Sequence, residues 1–380
     1  MNINTPILVL NCGSSSIKYA LFDAGVDGPP RRARWTGQVD GIGGRERPYA
    51  AALQEVRATV ERQTGGQLPA AIAHRVVHGG TEYAAPVRVD RAVLADLERL
   101  IPLAPLHQPY ALRAISLLLD ELPDMPQVAC FDTAFHRTLP QVESMLPLTY
   151  AHWERGIRRY GFHGLSYEYM AITLAERHGQ AARGRTIVAH LGSGASLCAM
   201  QELRSVGTTM GFSALDGLMM GTRCGALDPG VLLYLLESEE MTRDDLARLL
   251  YRESGLLGIS GLSPRAEVLL EAEGRDLRAK AALDLYVRRI VREIGALTAV
   301  LGGLDMLAFT AGVGEHSAVL RGRIAASLGW LGVQLDQEAN ANHAPTISRP
   351  TSRVRVAVEP TNEEWIAASH AWRVLARSRD

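Results

Sequence analysis

The sequence predicts an α/β fold with more than one domain, and three observations support this prediction. Apolar strand-like runs alternate with helix-like segments along most of the chain, which is typical of α/β proteins. Two of these runs lead into similar turns rich in glycine and serine, one in each half of the chain. The chain has 380 residues, which is long for a single hydrophobic core.

The composition is that of a globular protein, with 47% hydrophobic and 21% charged residues. The net charge of −1 predicts no nucleic-acid partner and no attraction to anionic membranes, so any anion site has to be local. Met1–Leu10 lacks the basic and apolar regions of a signal peptide, and no uncharged apolar run approaches about 18 residues, so we expect no membrane span. The scattered cysteines form no CxxC pair, which indicates buried, reduced thiols and a cytoplasmic protein: Cys12, Cys130, Cys198 and Cys224.

The first half of the chain is predicted to hold a β-hairpin over residues 7–23, followed by helices and buried strands. Residues 28–48 are rich in glycine, proline and arginine, which predicts a loop or a poorly packed strand pair. A strand is expected within 71–80, before a glycine turn, and another within 127–136, ending at Asp132. Helical patterns cover 50–63, 90–100 and 109–121.

A change of composition across 140–160 predicts the domain boundary, which we place after residue 150. Residues 186–200 repeat the opening pattern of strand, glycine/serine turn and strand. Residues 306–317 are predicted to form a strand that leads into a third glycine turn, and 354–376 a strand, a turn and an amphipathic helix. Further helices are expected near 164–178, 228–237, 242–252 and 275–302.

The two glycine/serine turns are candidate anion sites, because successive N–H groups in such a turn form a concave nest. The alternative is that both are ordinary hairpins with flexible tips. The first turn, in "LNCGSSSIKY", is followed by Lys18, one of only two lysines among 40 basic residues. Because the chain otherwise uses arginine almost throughout, one explanation of Lys18 is that this position requires a compact ammonium group. The alternative, a solvated lysine at the edge of a strand, explains the residue equally well.

Two arginines lie beside glycine turns, Arg75 in "HRVVHGG" and Arg223 in "GTRCGALDPG". A guanidinium group offers forked donors that match phosphate oxygens, and two converging arginines would stabilise a transferring phosphoryl group. The alternative is that both are surface residues among the 38 arginines of the chain.

Four histidines occur in apolar settings, where a single histidine is more often a hydrogen-bonded core residue than a ligand: His107, His136, His163 and His190. His163, in the "YGFHG" stretch between two glycines, is the best candidate to face a ligand. The spacing contains no HxxxH or HExxH pattern, so no zinc site is expected.

Carboxylates follow two of the predicted strands, Asp132 in "ACFDTAF" and the pair Glu363 and Glu364 in "EPTNEEW". A hard cation such as Mg²⁺ takes one or two carboxylates together with phosphate oxygens. The alternative for the glutamate pair is a negative first helical turn, which the helix dipole favours.

Taken together, these stretches resemble the acetate and propionate kinase family over essentially the whole chain. The matching segments are, in order, "LNCGSSSIKY", "HRVVHGG", "LAPLHQP", "FDTAFHRTLP", "RRYGFHGLS", "HLGSGASL", "MGFSALDGLMMGTRCGALDP", "SGLLGISGLS", "FTAGVGEHS" and "PTNEE". The resemblance implies a fold of the sugar kinase, heat-shock chaperone and actin superfamily, with two duplicated ribonuclease H-like domains and a nucleotide in the cleft between them. It also implies a homodimer.

The expected organisation is an N-terminal acyl and phosphoryl domain over 1–150, completed by the helix 362–380, and a C-terminal nucleotide-binding and dimerisation domain over 151–361. The resemblance implies direct in-line phosphoryl transfer from ATP to acetate or another short carboxylate, with Mg²⁺ or Mn²⁺. A carboxylate nucleophile is already ionised at pH 7, so no general base is required.

The resemblance also assigns roles to individual residues. It places Asn11, Ser14, Ser16 and Lys18 in the first phosphate loop and His190, Gly192, Ser193, Gly194, Gly312 and Gly314 around the phosphates of the donor. It implies that Arg75 and Arg223 bind the carboxylate and the phosphoryl group, that His163 donates to that group, and that His107 supports it. It implies that Asp132 orients the substrate and the groups around the metal, and that Asn11 and Glu363 bind the metal. It also implies that an apolar pocket for the acyl group is formed by Val77, Leu106 and Phe162.

The chain departs from the family pattern in four places, three of them on the donor side. Ser193 and His316 both stand where the family usually has asparagine, and Ala214 stands where proline is common. Pro264, Arg265, Ala266 and Glu267 replace a run in which an acid, an aromatic residue and an arginine help to hold the adenosine. We therefore hypothesise altered donor recognition and a wider acyl pocket.

The leading interpretation is a short-chain acyl kinase that makes acetyl phosphate. The alternatives are a kinase for propionate or butyrate, one with another donor such as pyrophosphate, a catalytically weakened relative, and a nucleotide-switched binding protein of the same superfamily.

Overall fold

The computed structural model describes residues 5–42 and 47–377. The chain divides into two compact units. The first unit comprises Met1–Arg137, Gly164–Tyr169 and Asn362–Asp380, and the second comprises Thr138–His163 and Met170–Thr361.

The described strands are β1 (Thr5–Cys12), β2 (Ser16–Ala24), β3 (Trp35–Asp40), β4 (Ala71–Val76), β5 (Val87–Arg88), β6 (Gln127–Phe131), β7 (Thr186–Leu191), β8 (Ala195–Gln201), β9 (Arg204–Thr208), β10 (Met306–Thr310) and β11 (Arg355–Val358). The α-helices are α1 (Tyr49–Thr64), α2 (Arg91–Glu98), α3 (Gln108–Glu121), α4 (Gln141–Ser144), α5 (Tyr150–Glu154), α6 (Gly164–His178), α7 (Pro229–Glu237), α8 (Arg243–Arg252), α9 (Gly255–Ser260), α10 (Ala266–Ala272), α11 (Leu277–Leu301), α12 (Ala311–His316), α13 (Ala318–Ala326), α14 (Gln337–Ala341) and α15 (Glu363–Arg377). Short 3₁₀ segments lie at Ile101–Leu103, Ala134–Thr138, Gly179–Arg183 and Gly329–Leu331.

Each unit contains one sheet, and the two sheets share a topology. In the first unit the strand order is β3-β2-β1-β4-β6-β5, and in the second it is β11-β10-β7-β8-β9. In both sheets three antiparallel strands, β1 to β3 or β7 to β9, are followed by two strands that add in parallel, β4 and β6 or β10 and β11. The predicted α/β class and the duplication of a ribonuclease H-like arrangement are therefore confirmed.

The glycine/serine turns occupy equivalent positions, since each joins the first two strands of its sheet. In the first sheet Asn11 lies opposite Lys18, and in the second His190 lies opposite Ser196. Ile7–Leu10 and the whole of β7 are buried, so both hairpins are anchored in a core while their turns face outward.

The C-terminal helix α15 belongs to the first unit, where it packs on β1, β4 and β6. Its buried face consists of Ile366, Ala367, Ala368, Ser369, His370 and Ala371. The small residues let the helix approach the sheet closely, and the Cys130 thiol on β6 contacts the Ala367 carbonyl oxygen at 3.7 Å. The helix thereby places Glu363, its first residue, at the end of β4.

The longest described helix, α11, runs through the second unit with a buried stripe that includes Leu283, Ile290 and Ile294. The Asp276 side chain caps its N-terminus and Gly302 ends it with φ 69°. Within residues 5–42 and 47–377, no helix combines the length and apolar composition that crossing a bilayer requires.

Some elements differ from the sequence predictions. Residues 28–48 contribute β3, which pairs with β2, rather than a loop or a strand pair of their own, and residues 43–46 lie outside the described residues. β9, α9 and α10 were not predicted, because short elements lack a full period of the hydrophobic pattern. All four cysteines are free thiols, but Cys224 is only half-buried.

Candidate active site

In the first unit, Arg75 at the end of β4 is held by carboxylates from two other elements. Its Nε donates to Asp132 Oδ1 at 3.0 Å, and its Nη2 donates to Asp132 Oδ2 at 2.8 Å. Its Nη1 lies 2.6 Å from Glu363 Oε2. β4 and β6 are adjacent parallel strands, so Arg75 and Asp132 meet at the carboxyl end of the sheet, while α15 supplies Glu363. The bidentate contact fixes the plane of the guanidinium group.

The charged groups around Arg75 shift one another's pKa values. Burial lowers the pKa of the Arg75 guanidinium, but the carboxylates of Asp132 and Glu363 more than offset this and raise it. Burial raises the pKa of the Glu363 carboxyl to about 7; Arg75 and Lys18 lower it, and Asp132 and Glu364 raise it. Arg75 is therefore shared by the carboxylates of Asp132 and Glu363.

The first glycine/serine turn lies at the edge of this cluster. The Gly13 N–H donates to the Ser16 carbonyl oxygen at 2.9 Å, which closes the turn. Ser14 and Lys18 are exposed, while Asn11 and Ser16 are half-buried. Leu10 on β1 lies opposite His74 on β4, and Asn11 lies opposite Lys18, so the turn follows β1 at the same end of the sheet as Arg75.

The loop after β4 is fixed by a buried glutamine that the sequence did not single out. Gln108 Nε2 donates to the His78 carbonyl oxygen at 3.0 Å, and the His78 N–H donates to Gln108 Oε1 at 3.1 Å. The Gly79 N–H donates to Thr133 Oγ1 at 3.2 Å, which ties the same loop to the residue after Asp132. Val77 in this loop, together with Leu106 and His107 just before α3, is half-buried in the first unit.

In the second unit, His163 and His190 stack with ring centroids 4.2 Å apart. A hydrogen bond of 2.8 Å joins His163 Nδ1 to Ser196 Oγ, so the ring orientation is fixed and its Nε2 points away from the serine. His163 has φ 60°, a left-handed conformation that side chains other than glycine rarely adopt. Such strain persists where the surroundings determine the conformation, which is common at functional sites.

Arg223 lies beside these histidines. A Cβ on Gly194 would lie 2.9 Å from Arg223 Nη2 and 3.0 Å from His163 Nε2, so both groups border the same small space and only glycine fits there. Arg223 Nη1 donates to the Ala214 carbonyl oxygen at 2.6 Å. Burial lowers the pKa of the Arg223 guanidinium, and in the described part of the second unit no carboxylate forms an ion pair with it. Phe162, the neighbour of His163, is 1% exposed.

A cavity of about 700 Å³ begins at the second glycine/serine turn. Gly192, Ser193 and Gly312 lie on one side of it. Its other lining residues are largely apolar and comprise Gly221, Leu256, Pro264, Arg265, Ala266, Glu267, Leu270, Tyr286, Val313, His316, Ser317, Ala318 and Val319. Its volume is in the range of pockets that hold small organic molecules.

The third glycine turn forms the start of α12. Ala311 has φ 65°, and its N–H donates to Glu315 Oε1 at 2.8 Å. Arg321, which is 1% exposed, donates through Nη1 to the carbonyl oxygens of Gly314 and Glu315 at 2.8 and 2.7 Å. A buried arginine therefore holds the backbone of this turn in place.

The predicted residues are divided between the two units. The first group is Asn11, Ser14, Ser16, Lys18, Arg75, Val77, Leu106, His107, Asp132 and Glu363. The second is Phe162, His163, His190, Gly192, Ser193, Gly194, Arg223, Gly312 and Gly314. Sequence reasoning missed the residues that position them, namely Gln108, Thr133, Ser196 and Arg321. His136 is buried and packs edge-on against Phe135 and Tyr167, as a core histidine does.

A magnesium ion fits the donor set of the first group. Carboxylate and amide oxygens are its preferred protein ligands, and Glu363 and Asn11 supply them. The raised pKa of Glu363 reflects a buried carboxyl with too little positive charge around it, which a divalent cation would provide. In the described residues, no cluster of three or more histidine, cysteine or acidic side chains is arranged to hold a metal by itself, which is consistent with an ion that also uses phosphate oxygens.

Comparison with known proteins adds a second, independent line of argument. Residues 6–369 match the model of the acetokinase family. Acetate kinases from Rhodopseudomonas palustris and Nitrobacter hamburgensis are 47% and 48% identical, with 98% and 97% of this chain and 99% and 96% of theirs aligned. The crystal structure of Porphyromonas gingivalis acetate kinase is 33% identical with a TM-score of 0.87, covering 98% of this chain and 100% of that one. A propionate kinase from Francisella tularensis is 32% identical with a TM-score of 0.89, covering 96% and 98%.

Proposed function

The chain belongs to the acetokinase family and is therefore a phosphotransferase with a carboxyl group as acceptor; we propose that it transfers the γ-phosphoryl group of a nucleoside triphosphate in line to acetate. A carboxylate oxygen forms a bond to the γ-phosphorus while the bond from that phosphorus to the β,γ-bridging oxygen breaks. The electron pair of the broken bond leaves with the nucleoside diphosphate, and acetyl phosphate forms. The observation that carries this proposal is the Arg223 and His163 pair beside Gly194.

Arg223 and His163 fit the task of stabilising a phosphoryl group in transfer. Arg223 is a half-buried cation that donates to a carbonyl oxygen and has no ion pair in the described part of its unit, so its charge is available to an incoming anion. His163 Nε2 borders the same space, with its ring fixed by Ser196 and His190. Preorganised donors of this kind stabilise charge at the transition state without reorganisation.

Arg75 has a different part in the proposed reaction. Its ion pairs with Asp132 and Glu363 fix the orientation of the guanidinium group, which suits positioning of the substrate carboxylate. Val77 and Leu106, in the same unit as Arg75, would provide apolar surface for the alkyl group. No general base is required, because acetate is ionised at neutral pH.

Glu363 and Asn11 would hold Mg²⁺, or Mn²⁺, in this mechanism. The bound ion would neutralise charge on the phosphate oxygens of the donor. Asp132 keeps Arg75 in place and adds negative charge near Glu363, which favours binding of the cation.

The cavity supports a nucleotide as donor over pyrophosphate. It continues from Gly192 and Ser193, in the turn assigned to the donor phosphates, into an apolar space of about 700 Å³. Pyrophosphate has no apolar part that would occupy this space, whereas a nucleoside has one. ATP or a related nucleotide is therefore the proposed co-substrate.

The acceptor remains a choice between acetate and a slightly longer carboxylate. Ala214, whose carbonyl oxygen accepts from Arg223, is smaller than the proline common in the family, and one relative of known structure is a propionate kinase. Propionate is therefore the second candidate acceptor. A kcat/KM for acetate well above that for propionate would remove it.

Formation of acyl phosphate tests the proposed function directly. Purified protein is incubated with acetate or propionate, Mg²⁺, and ATP, GTP or pyrophosphate, and the acyl phosphate is trapped with hydroxylamine as the hydroxamate. We expect hydroxamate with a nucleotide donor and none with pyrophosphate. Absence of hydroxamate with every donor and acceptor would refute the proposed function.

We also propose that the chain acts in the cytoplasm as a homodimer that uses α7. This helix has no buried residue, and Leu233 and Tyr234 are 58% and 57% exposed. Val231 and Leu236 extend the apolar surface, which is unusual on a monomer. Four free thiols support a reducing compartment. Sedimentation velocity of the wild type and of Leu233→Asp tests the dimer: we expect a dimer that the substitution dissociates.

A further inference from the structure

The donor cavity contains one carboxylate among its lining residues. Glu267 lies in the first turn of α10 and shares the cavity lining with apolar residues such as Leu256, Leu270 and Tyr286. The Glu267 side chain is 60% exposed, so the carboxylate lies at the open side of the cavity. It is a selective feature there, because a ligand gains from it only by presenting hydrogen-bond donors.

Glu267 is paired with Arg265 at the same cavity. Arg265 Nη2 and Nε donate to Glu267 Oε1 at 3.1 and 3.3 Å, so both contacts use a single oxygen of the carboxylate. The Glu267 backbone N–H and the Arg265 guanidinium keep the pKa of the Glu267 carboxyl below its ordinary value, and the group is ionised at neutral pH. The cavity therefore presents a carboxylate acceptor beside a guanidinium donor.

This pair matches the edge of guanine better than that of adenine. Guanine presents the N1–H and N2–H₂ donors side by side, which a carboxylate accepts together, and its O6 accepts from an arginine. Adenine presents one donor group, N6–H₂, next to the N1 acceptor, so a carboxylate can accept from one position only. The side chains that read adenine best are the amides of asparagine and glutamine.

We propose that Glu267 selects guanine in the donor cavity, so that GTP is the preferred phosphoryl donor. This inference rests on the proposed function, in which the cavity holds the nucleoside of the donor. Glu267 accepts from N1–H and N2–H₂ of the base, and Arg265 donates to O6. Phosphoryl transfer itself is unchanged, with GDP leaving in place of ADP.

Glu267→Gln tests the inference, because the amide keeps the size of the side chain and places a donor where the carboxylate had only acceptors. We expect the ratio of kcat/KM for GTP to kcat/KM for ATP to be about ten in the wild type and to fall about tenfold in Glu267→Gln. ITP lacks the N2 amine and should give an intermediate value with the wild type. Glu271→Gln, at another exposed position of the same helix that does not belong to the cavity lining, is the matched control and should leave the ratio unchanged.

A second measurement separates this inference from the proposed function. Calorimetric titration with GDP and ADP measures base selection without turnover, and GDP should bind about tenfold more tightly to the wild type but not to Glu267→Gln. Guanine selection in the titration without acyl phosphate formation would refute the proposed function alone. A GTP/ATP ratio and a GDP/ADP affinity ratio that change less than twofold on Glu267→Gln would overturn the inference, whether or not acetyl phosphate is made.

Discussion

The two arginines of the candidate active site lie in opposite electrostatic surroundings. Arg75 in the first unit has ion pairs with Asp132 and Glu363. Arg223 in the second unit donates to the Ala214 carbonyl oxygen and has no ion pair in the described part of that unit. The surroundings accordingly raise the pKa of Arg75 and lower that of Arg223.

This difference separates two uses of the same side chain. A guanidinium whose charge is already balanced contributes geometry, since its partners fix its orientation. A buried guanidinium without a counterion costs folding free energy, and it recovers that cost only when an anion binds. Arg223 therefore suits the transferring phosphoryl group, whose negative charge is present only when the donor is bound.

The largest expected effect is on turnover when Arg223 is removed. Arg223→Ala should lower kcat about 1,000-fold, because arginines that stabilise phosphoryl transfer are worth at least that factor. Stability should change little, because the variant removes a half-buried charge that has no ion pair in the described part of its unit. Hydroxamate kinetics and thermal denaturation measure the two effects. A kcat within tenfold of the wild type would contradict the role assigned to Arg223.

Arg75→Met should differ by reducing stability as well as activity. Its removal leaves Asp132 and Glu363 without their common partner, and breaking a buried ion pair in this way costs about 3 kcal/mol. Urea denaturation should therefore show a lower free energy of unfolding than for Arg223→Met. The double variant Arg75→Met/Asp132→Asn should recover part of the loss, since it also removes one unpaired charge; equal stability of the single and double variants would contradict this explanation.

Ser196→Ala tests whether the orientation of His163 matters. Loss of the 2.8 Å hydrogen bond removes one restraint on the orientation of the imidazole, and we expect kcat to fall about tenfold with little change in KM. Ser196→Thr keeps the hydroxyl and should retain more activity than the alanine variant. If both variants have wild-type kcat, His163 does not depend on this contact.

The smallest expected effect concerns acid stability of the first unit. Burial lowers the pKa of His74 to about 4, although its hydrogen bond with Gln127 partly opposes this. Because the unfolded chain takes up the proton near pH 6.5, stability is full above that pH and is lost as the pH falls toward 4. His74 alone should cost about 1 kcal/mol between pH 7.5 and 5.5.

The double variant His74→Leu/Gln127→Leu removes both hydrogen-bonding partners and should reduce this pH dependence. Urea denaturation at the two pH values measures it. A wild type whose free energy of unfolding is the same at both values would show that His74 does not contribute.

Much of the fold follows from local patterns in the sequence. The hairpins around the two glycine/serine turns and the strands at 71–76 and 127–131 are visible as buried apolar runs bounded by turn residues. The meeting of Arg75 with Asp132 follows from the same reasoning, since both lie at the carboxyl ends of predicted strands. Charge and turn composition made these residues candidates, and the family resemblance assigned their expected roles.

The positioning residues were not predictable, because they act through contacts distant in sequence. Gln108 is one glutamine before a helix, and only the structure shows its side chain paired with the backbone of His78. Arg321 is one of 38 arginines, and its burial depends on how α13 packs. The sequence also does not indicate the positive φ angles of His163 and Ala311, since neither residue is glycine.

The place of α15 also sets an order of events during synthesis. Its buried face covers β1, β4 and β6, strands that a ribosome makes more than 200 residues earlier. The part of the N-terminal sheet that α15 covers therefore stays uncovered until translation is nearly complete, while the β7–β11 sheet is made in between. We expect nascent chains that end before residue 363 to aggregate or to bind chaperones, and the first unit to become protease-resistant only after the last helix is released.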